Sequence, residues 1–267
     1  MMKSISYQGT PVHYTVEGTG EALLFLHGYL ESLEIWDAFS KRFTNRYKVV
    51  RMDIPGHGKS GVLGPVHEMH EMARAASAVL DAEQIDRVVV FGHSMGGYVT
   101  MEFVHLFPGR TRGYGLFHST CFADNDEKKQ NRDREISLVM CGKKMQIIRT
   151  NIPKGFADDN LERLEKEVER AKQIALAASD EGVVALLQGM KQREDHSETL
   201  KRLTPPPLII WGKKDNYIGE PVFEKLLALA PHASVVVLKT SGHMGFLEEP
   251  DCAYAGIVNY LNGLETE

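Results

Sequence analysis

The chain predicts an α/β fold, a mostly parallel eight-stranded sheet with helices on both faces and a helical cap inserted late in the sequence. Three observations predict it. Short apolar runs occur at residues 22–26 and 88–91, the first without polar alternation as expected of a strand covered on both faces, and a further strand is predicted at 47–52. Helix-period stretches separate these runs as far as residue 118, which is the rhythm of a parallel sheet. The alternation then stops over residues 120–204 and resumes at 208. The implied organisation is a core part at 1–119, a helical cap at 120–204 and a second core part at 205–267.

The elements follow in order. Residues 4–7 and 12–16 are β-prone runs around Gly9-Thr10-Pro11 and predict a hairpin at the sheet edge. The run 22–26 leads into His27-Gly28-Tyr29, and 34–43 predicts a helix. The strand 47–52 ends in Asp53-Ile54-Pro55-Gly56-His57-Gly58-Lys59-Ser60. The last three residues copy the tail of a phosphate-binding loop, but that loop needs glycine where Asp53 stands, so nucleotide binding is excluded. A helix over 67–81 and strands at 88–91 and 115–117 come next. The stretch 124–135 is densely charged and reads as solvated. Leu161, Leu164, Val168, Ala171, Ile174 and Ala178 share one helical face, and Val183, Leu186, Leu187 and Met190 share another. Ser179 suits the cap of that second helix, with Asp180 and Glu181 in its first turn. Both apolar faces need a surface to lie on, hence a cap over the sheet. Pro205-Pro206-Pro207 is a stiff connector. It leads to a strand at 208–211, a helix at 221–230 opened by proline, a strand at 234–238 and a helix at 251–261.

Composition narrows the function classes. The chain has 267 residues, 43% apolar and 25% charged, ordinary for a globular protein. Net charge is −5 and dispersed, which excludes the basic patch of a nucleic-acid binder. Cys121, Cys141 and Cys252 are odd in number and irregularly spaced, so they read as free thiols of a reducing compartment. No run reaches the roughly 20 apolar residues of a membrane span, and residues 1–10 hold no signal-peptide core. The expectation is a cytoplasmic monomer or homodimer with a small-molecule partner, no nucleic acid and no membrane.

The chemistry points to Gly92-His93-Ser94-Met95-Gly96, between a strand and a helix. In that context G-x-S-x-G marks a serine held on a strained turn, at the positive end of the following helix. A serine needs a base, and the base needs an orienting carboxylate. His243 follows the last strand and Asp215 the one before it. Both fall on the sheet edge that carries Ser94, so Ser94, Asp215 and His243 are the catalytic candidates. The oxyanion donors expected are the N–H groups of Met95 and Tyr29, with Gly28 permitting close approach. His118 and Ser119 end a strand on the same edge, so His118, with Gly28, Met140 and Met190, forms the candidate substrate pocket. Asp53 reads as a structural turn. His57 stands beside the entrance without an orienting acid, and Asp124 as a solvated charge. His67 and His70 have metal-ligand spacing but lack a third ligand, so neither a metal nor a cofactor is expected.

These landmarks resemble the α/β-hydrolase superfamily in kind and in order. They are His27-Gly28, residues 53–60, Gly92 to Gly97, Asp215, and Gly242-His243 with Leu247-Glu248-Glu249-Pro250. The resemblance is strongest to the branch of 3-oxoadipate enol-lactonase and small carboxylesterases. It implies the α/β-hydrolase fold and a cofactor-free serine hydrolase that cleaves an ester or lactone in an apolar pocket under the cap. The same triad also serves C–C bond hydrolases and a menaquinone-pathway lyase, and the scaffold serves as a small-molecule receptor.

Overall fold

The computed structural model describes residues 2–265. Its strands are β1 (Met2–Tyr7), β2 (Thr10–Glu17), β3 (Ala22–Leu26), β4 (Lys48–Met52), β5 (Val88–His93), β6 (Thr111–Phe117), β7 (Leu208–Gly212) and β8 (Ser234–Leu238). They form one sheet in the order β1-β2-β4-β3-β5-β6-β7-β8. The β1–β2 hairpin joins β4 antiparallel, and every other pairing is parallel.

The unbroken apolar runs are explained by burial on both faces. Along β3, Leu24 and Leu26 point into one apolar cluster and Leu23 and Phe25 into another, the two-residue alternation of a pleated strand. The first cluster is covered by α2 (Met69–Ala82) and α3 (Met95–Leu106). The second is covered by Trp36, Phe39 and Phe43 and by α11 (Pro250–Leu264). The segment predicted as one helix at 34–43 is instead a 3-10 turn at Leu33–Trp36, the short helix α1 (Asp37–Ser40) and a second 3-10 turn at Lys41–Phe43. Leu33, Ile35, Trp36 and Phe39 are all buried.

Between β6 and β7 lie α4 (Asp126–Met140), α5 (Lys144–Lys154), α6 (Glu165–Ala177), α7 (Asp180–Gln192) and α8 (Ser197–Arg202). The helices α9 (Glu220–Leu229) and α10 (Gly245–Glu248) follow later in the chain. Ser179 caps α7 by accepting from the Gly182 N–H at 3.0 Å. Val183, Leu186, Leu187 and Met190 join the first sheet cluster, and Leu164, Val168, Ala171 and Ile174 the second. Each fully buried aliphatic side chain is worth about 1.5 to 3 kcal/mol against exposure, so these helices depend on the sheet beneath them. The charged stretch at 124–135 forms most of α4, capped by the Asn125 side chain. Only Ile136 and Val139 of that helix are buried, too few to leave a periodic signal. Among the described residues no helix is long and apolar enough to cross a membrane, and the three cysteines are free.

Candidate active site

Ser94 stands at the junction of β5 and α3 with φ 49° and ψ −113°. A non-glycine residue at positive φ costs on the order of 1–3 kcal/mol and persists only where its surroundings hold it. Here the Ser94 N–H donates to the Phe117 carbonyl at 3.0 Å, and the Ser119 hydroxyl donates to the Ser94 carbonyl at 2.6 Å. The flanking glycines leave no room for a side chain. A Cβ on Gly92 would stand 2.1 Å from the Gly96 oxygen, and one on Gly96 would stand 2.4 Å from the Leu26 oxygen. Gly92, His93, Met95 and Gly96 are buried, while Ser94 remains half-buried at the tip.

His243 and Asp215 lie side by side. His243 Nδ1 lies 2.8 Å from Asp215 Oδ2. The other oxygen of Asp215 accepts from the N–H groups of Tyr217 (2.7 Å) and Ile218 (2.9 Å). Burial works against the Asp215 charge, but the two imidazoles of His243 and His118 outweigh it and hold the carboxyl well below its usual range. The His243 loop is tied on several sides. Its N–H donates to the Gly155 carbonyl at 2.7 Å. One oxygen of buried Glu248 accepts from the Gly242 and Met244 N–H groups at 2.9 and 3.1 Å. The other accepts from the Ala157 N–H and the Asn160 side chain at 2.8 and 2.7 Å, so a single carboxylate joins this loop to the inserted helices.

Sequence reasoning sets His93 aside as a base, because its place beside Ser94 points it away from the exposed tip, and does not single out Glu31. His93, beside Ser94, points inward. Its Nε2 donates to the His243 carbonyl at 2.9 Å and its Nδ1 faces Glu31 at 3.0 Å. Both ring nitrogens face oxygens, so both carry protons. Burial opposes that charge, but the Glu31 carboxylate overrides it and raises the His93 pKa. Glu31 also accepts from the Gly28 N–H at 2.6 Å. The segment from β3 is thus braced against the residue beside the serine, and the only trace of this in the sequence is an acid three residues after Gly28.

The N–H groups expected to receive an oxyanion are those of Tyr29 and Met95. The Tyr29 N–H has no acceptor among the described residues, and the Met95 N–H is the first of α3, one of the donors a helix start leaves unpaired. The Gly28 N–H is turned to Glu31, so this glycine contributes backbone room rather than a donor.

The expected pocket is largely overturned. His118 is fully buried behind Asp215, with Nδ1 3.2 Å from Asp215 Oδ2, and Ser119 is turned back onto Ser94. Met140 is 76% exposed on the outside of α4, and Met190 is packed in the core under α7. Nor are the surroundings simply apolar. Tyr217, whose ring centre is 5.0 Å from that of His243, donates its hydroxyl to the Asn151 carbonyl at 2.9 Å. The Asn151 amide donates to Glu135 at 2.8 Å. Burial foremost, with Glu135 next, raises the pKa of both Tyr29 and Tyr217, so Glu135 of α4 lies near both tyrosines. Asp124 is buried rather than solvated, between Arg132 (3.1 Å) and Arg193 (2.6 Å).

The remaining candidates are structural. Asp53 accepts from the Leu33 and Lys59 N–H groups at 2.8 and 2.9 Å, the turn role expected of it. His57 accepts from the Leu30 N–H at 3.0 Å, and burial pushes its pKa down to about 3. His67 precedes α2 and bonds the Pro55 carbonyl and the Leu63 N–H, while His70 lies within the helix, so the two do not share a helical face.

Comparison with known proteins agrees with this architecture. Residues 23–257 match the alpha/beta hydrolase family. The chain is 27% identical over 260 residues to the dihydrolipoyllysine-residue acetyltransferase component of the acetoin cleaving system of Cupriavidus necator, covering 96% of this chain and 67% of that protein. It spans only 60% of the protein of the same description from Pseudomonas putida. It is 28% identical to a 2-hydroxy-6-oxononadienedioate/2-hydroxy-6-oxononatrienedioate hydrolase of Burkholderia vietnamiensis, covering 94% of this chain and 90% of the relative. Among solved structures, a malate-bound thermophilic esterase from Thermogutta terrifontis superposes with a TM-score of 0.93 at 26% identity, covering 99% of both chains.

Proposed function

This chain belongs to the alpha/beta hydrolase family, and on that footing we propose that it is a serine hydrolase cleaving a small to medium carboxylic ester or lactone through an acyl-enzyme on Ser94. The observation that carries the reading is the 2.8 Å bond between His243 and buried Asp215 on the sheet edge where Ser94 is held. In this mechanism Ser94 Oγ attacks the carbonyl carbon while His243 Nε2 takes its proton. Asp215 holds the imidazole through Nδ1 and stabilises its charged form. The Tyr29 and Met95 N–H groups receive the oxyanion, each worth about 3 to 4 kcal/mol in the transition state. The C–O bond to the leaving alcohol breaks, and His243 returns the proton to that oxygen. Water, deprotonated by His243, then attacks the acyl carbon and releases the acid and Ser94. Tyr217 against the His243 ring, with Glu135 near it, favours an acyl or alkoxy part bearing a polar group.

A second reading is C–C bond hydrolysis, as in the Burkholderia vietnamiensis relative. There water is again consumed, but the bond broken lies between two carbons. Turnover of a panel of acyl esters and lactones beside a vinylogous 1,5-diketone separates the two. Ser94→Ala is expected to lower ester turnover on the order of a millionfold and to abolish a mass adduct of the acyl group. Retention of most ester turnover by that variant defeats the proposal.

A further inference from the structure

Asp215 is bonded by two imidazoles, and the reaction proposed above uses only one. We infer that His118 is a positioning residue that shares the Asp215 carboxylate with His243 and braces the two loops carrying them. The inference rests on the reading of Asp215 and His243 as orienting acid and base.

His118 is the first residue after β6. It has φ 49°, and its N–H donates to the Ile210 carbonyl of β7 at 2.8 Å. Its side chain is wholly buried. A buried imidazole is costly unless its nitrogens are paired, and both of these are engaged. Nε2 lies 3.2 Å from the Gly245 N–H in the His243 loop. Nδ1 lies 3.2 Å from Asp215 Oδ2, and the Gly212 N–H also points at it from 3.2 Å. A neutral imidazole has one donor and one acceptor nitrogen. A proton on either nitrogen faces one backbone N–H, that of Gly245 at Nε2 or of Gly212 at Nδ1, so the carboxylate decides: a proton on Nε2 would turn the Nδ1 lone pair toward Asp215. The proton therefore sits on Nδ1, donated to Asp215, and Nε2 accepts from Gly245. Burial, the largest influence, pushes the His118 pKa down to about 4, in keeping with a neutral ring.

Asp215 then receives four N–H donors, two on each oxygen, which fills its lone-pair sites. Backbone groups alone hold Oδ1, so the carboxylate keeps its place when His118 is changed. What changes is its charge toward His243: with one donor fewer, Asp215 binds the protonated imidazole more tightly. The other charged groups around the pair are His93 with Glu31 on the β5 side, Tyr217 against the His243 ring, and Glu248 under the His243 loop. None is altered by a substitution at 118. Because His118 is fully buried, its loss acts on turnover rather than on substrate binding.

The experiment follows the ring nitrogens of His118 and His243 by 15N NMR from pH 5 to 9, in the wild type and in His118→Phe and His118→Asn. Turnover of a p-nitrophenyl ester is measured over the same range. In the wild type His118 is expected to show the Nδ1–H tautomer without titrating. In His118→Phe, which keeps the ring and removes both polar atoms, the His243 midpoint and the acid limb of the activity profile move up by about half to one pH unit. That is the size one charge-assisted hydrogen bond accounts for. On the acid limb kcat at a fixed pH falls about three- to tenfold while KM holds. His118→Asn, whose amide reaches the place of Nδ1, returns the midpoint. A wild-type proton on Nε2, an unmoved midpoint in the Phe variant, or an Asn variant that behaves like Phe overturns the inference. The wild-type tautomer decides even if the Phe variant does not fold. If Ser94→Ala retains turnover, the proposed reaction fails, while the NMR result still decides on the shared carboxylate.

Discussion

Glu31→Gln isolates the buried charge pair beneath the nucleophile. Glu31 and His93 lie 3.0 Å apart with side chains 7% and 1% exposed. Glutamine preserves the shape and an acceptor for the Gly28 N–H but removes the charge. Breaking a buried pair by deleting one partner costs about 3 to 5 kcal/mol when the other charge is stranded. His93 escapes stranding by shedding its Nδ1 proton and accepting from the new amide, so its Nε2–H bond to the His243 carbonyl survives. That route limits the loss to about 2 to 3 kcal/mol. The loss depends on pH in a direction that can be worked out. Burial disfavours the Glu31 charge, but His93 holds the Glu31 pKa below its usual value. Its stabilisation is therefore present above about pH 4.3 and lost on further acidification. The His93 pKa is raised, so its stabilisation is full below about pH 6.5 and fades as pH rises through the folded value. The gap between wild type and variant should be widest between these limits and narrow toward pH 9. Guanidinium unfolding at pH 5.5, 7.5 and 9 measures it. A gap equal at pH 5.5 and 9, or wider at 9, refutes the charge-pair argument.

Two further substitutions test the frame of the site. Gly96→Ala would drive a methyl into the Leu26 and His27 carbonyls at 2.4 and 2.6 Å. Both are backbone atoms of a central strand and its loop, so loss of soluble folded protein on expression is expected, and a stable, active variant contradicts the elbow geometry. Glu248→Gln replaces one of two acceptor oxygens with a donor. It leaves two of the four N–H groups now bound there unpaired, at about 1 to 3 kcal/mol each. Thermal unfolding should show that loss together with a kcat lower than wild type, because the His243 loop is released at the same time.

Some of this was legible before any coordinates. The strands at 22–26 and 88–91 announced themselves because burial on both faces leaves no polar position. The Ser179 cap of α7 was readable because capping is a contact three residues long. Helix α5 was not, because only Ile147 and Ile148 of its eleven residues are buried and no apolar stripe results. Asp124 was misread as solvated for a related reason. A charge among charges looks exposed until the fold brings Arg193, from beyond four intervening helices, to within 2.6 Å.

The sequence by itself determined which side chains end the strands of one sheet edge, and therefore the order Ser94, Asp215, His243. Strand ends and turns are governed by local pattern: period, glycine and the residue after the run. Tertiary structure alone decided what stands behind those residues. His118 shares the acid from 97 positions away, Glu31 charges His93 from 62, and Glu248 joins the His243 loop to Asn160 from 88. It also decided that Met140 faces solvent while Glu135 lies near Tyr29 and Tyr217. Such pairings follow from how layers stack, because hydrogen bonds and ion pairs form between whichever groups packing brings within about 3 Å. No local propensity along the chain encodes that proximity.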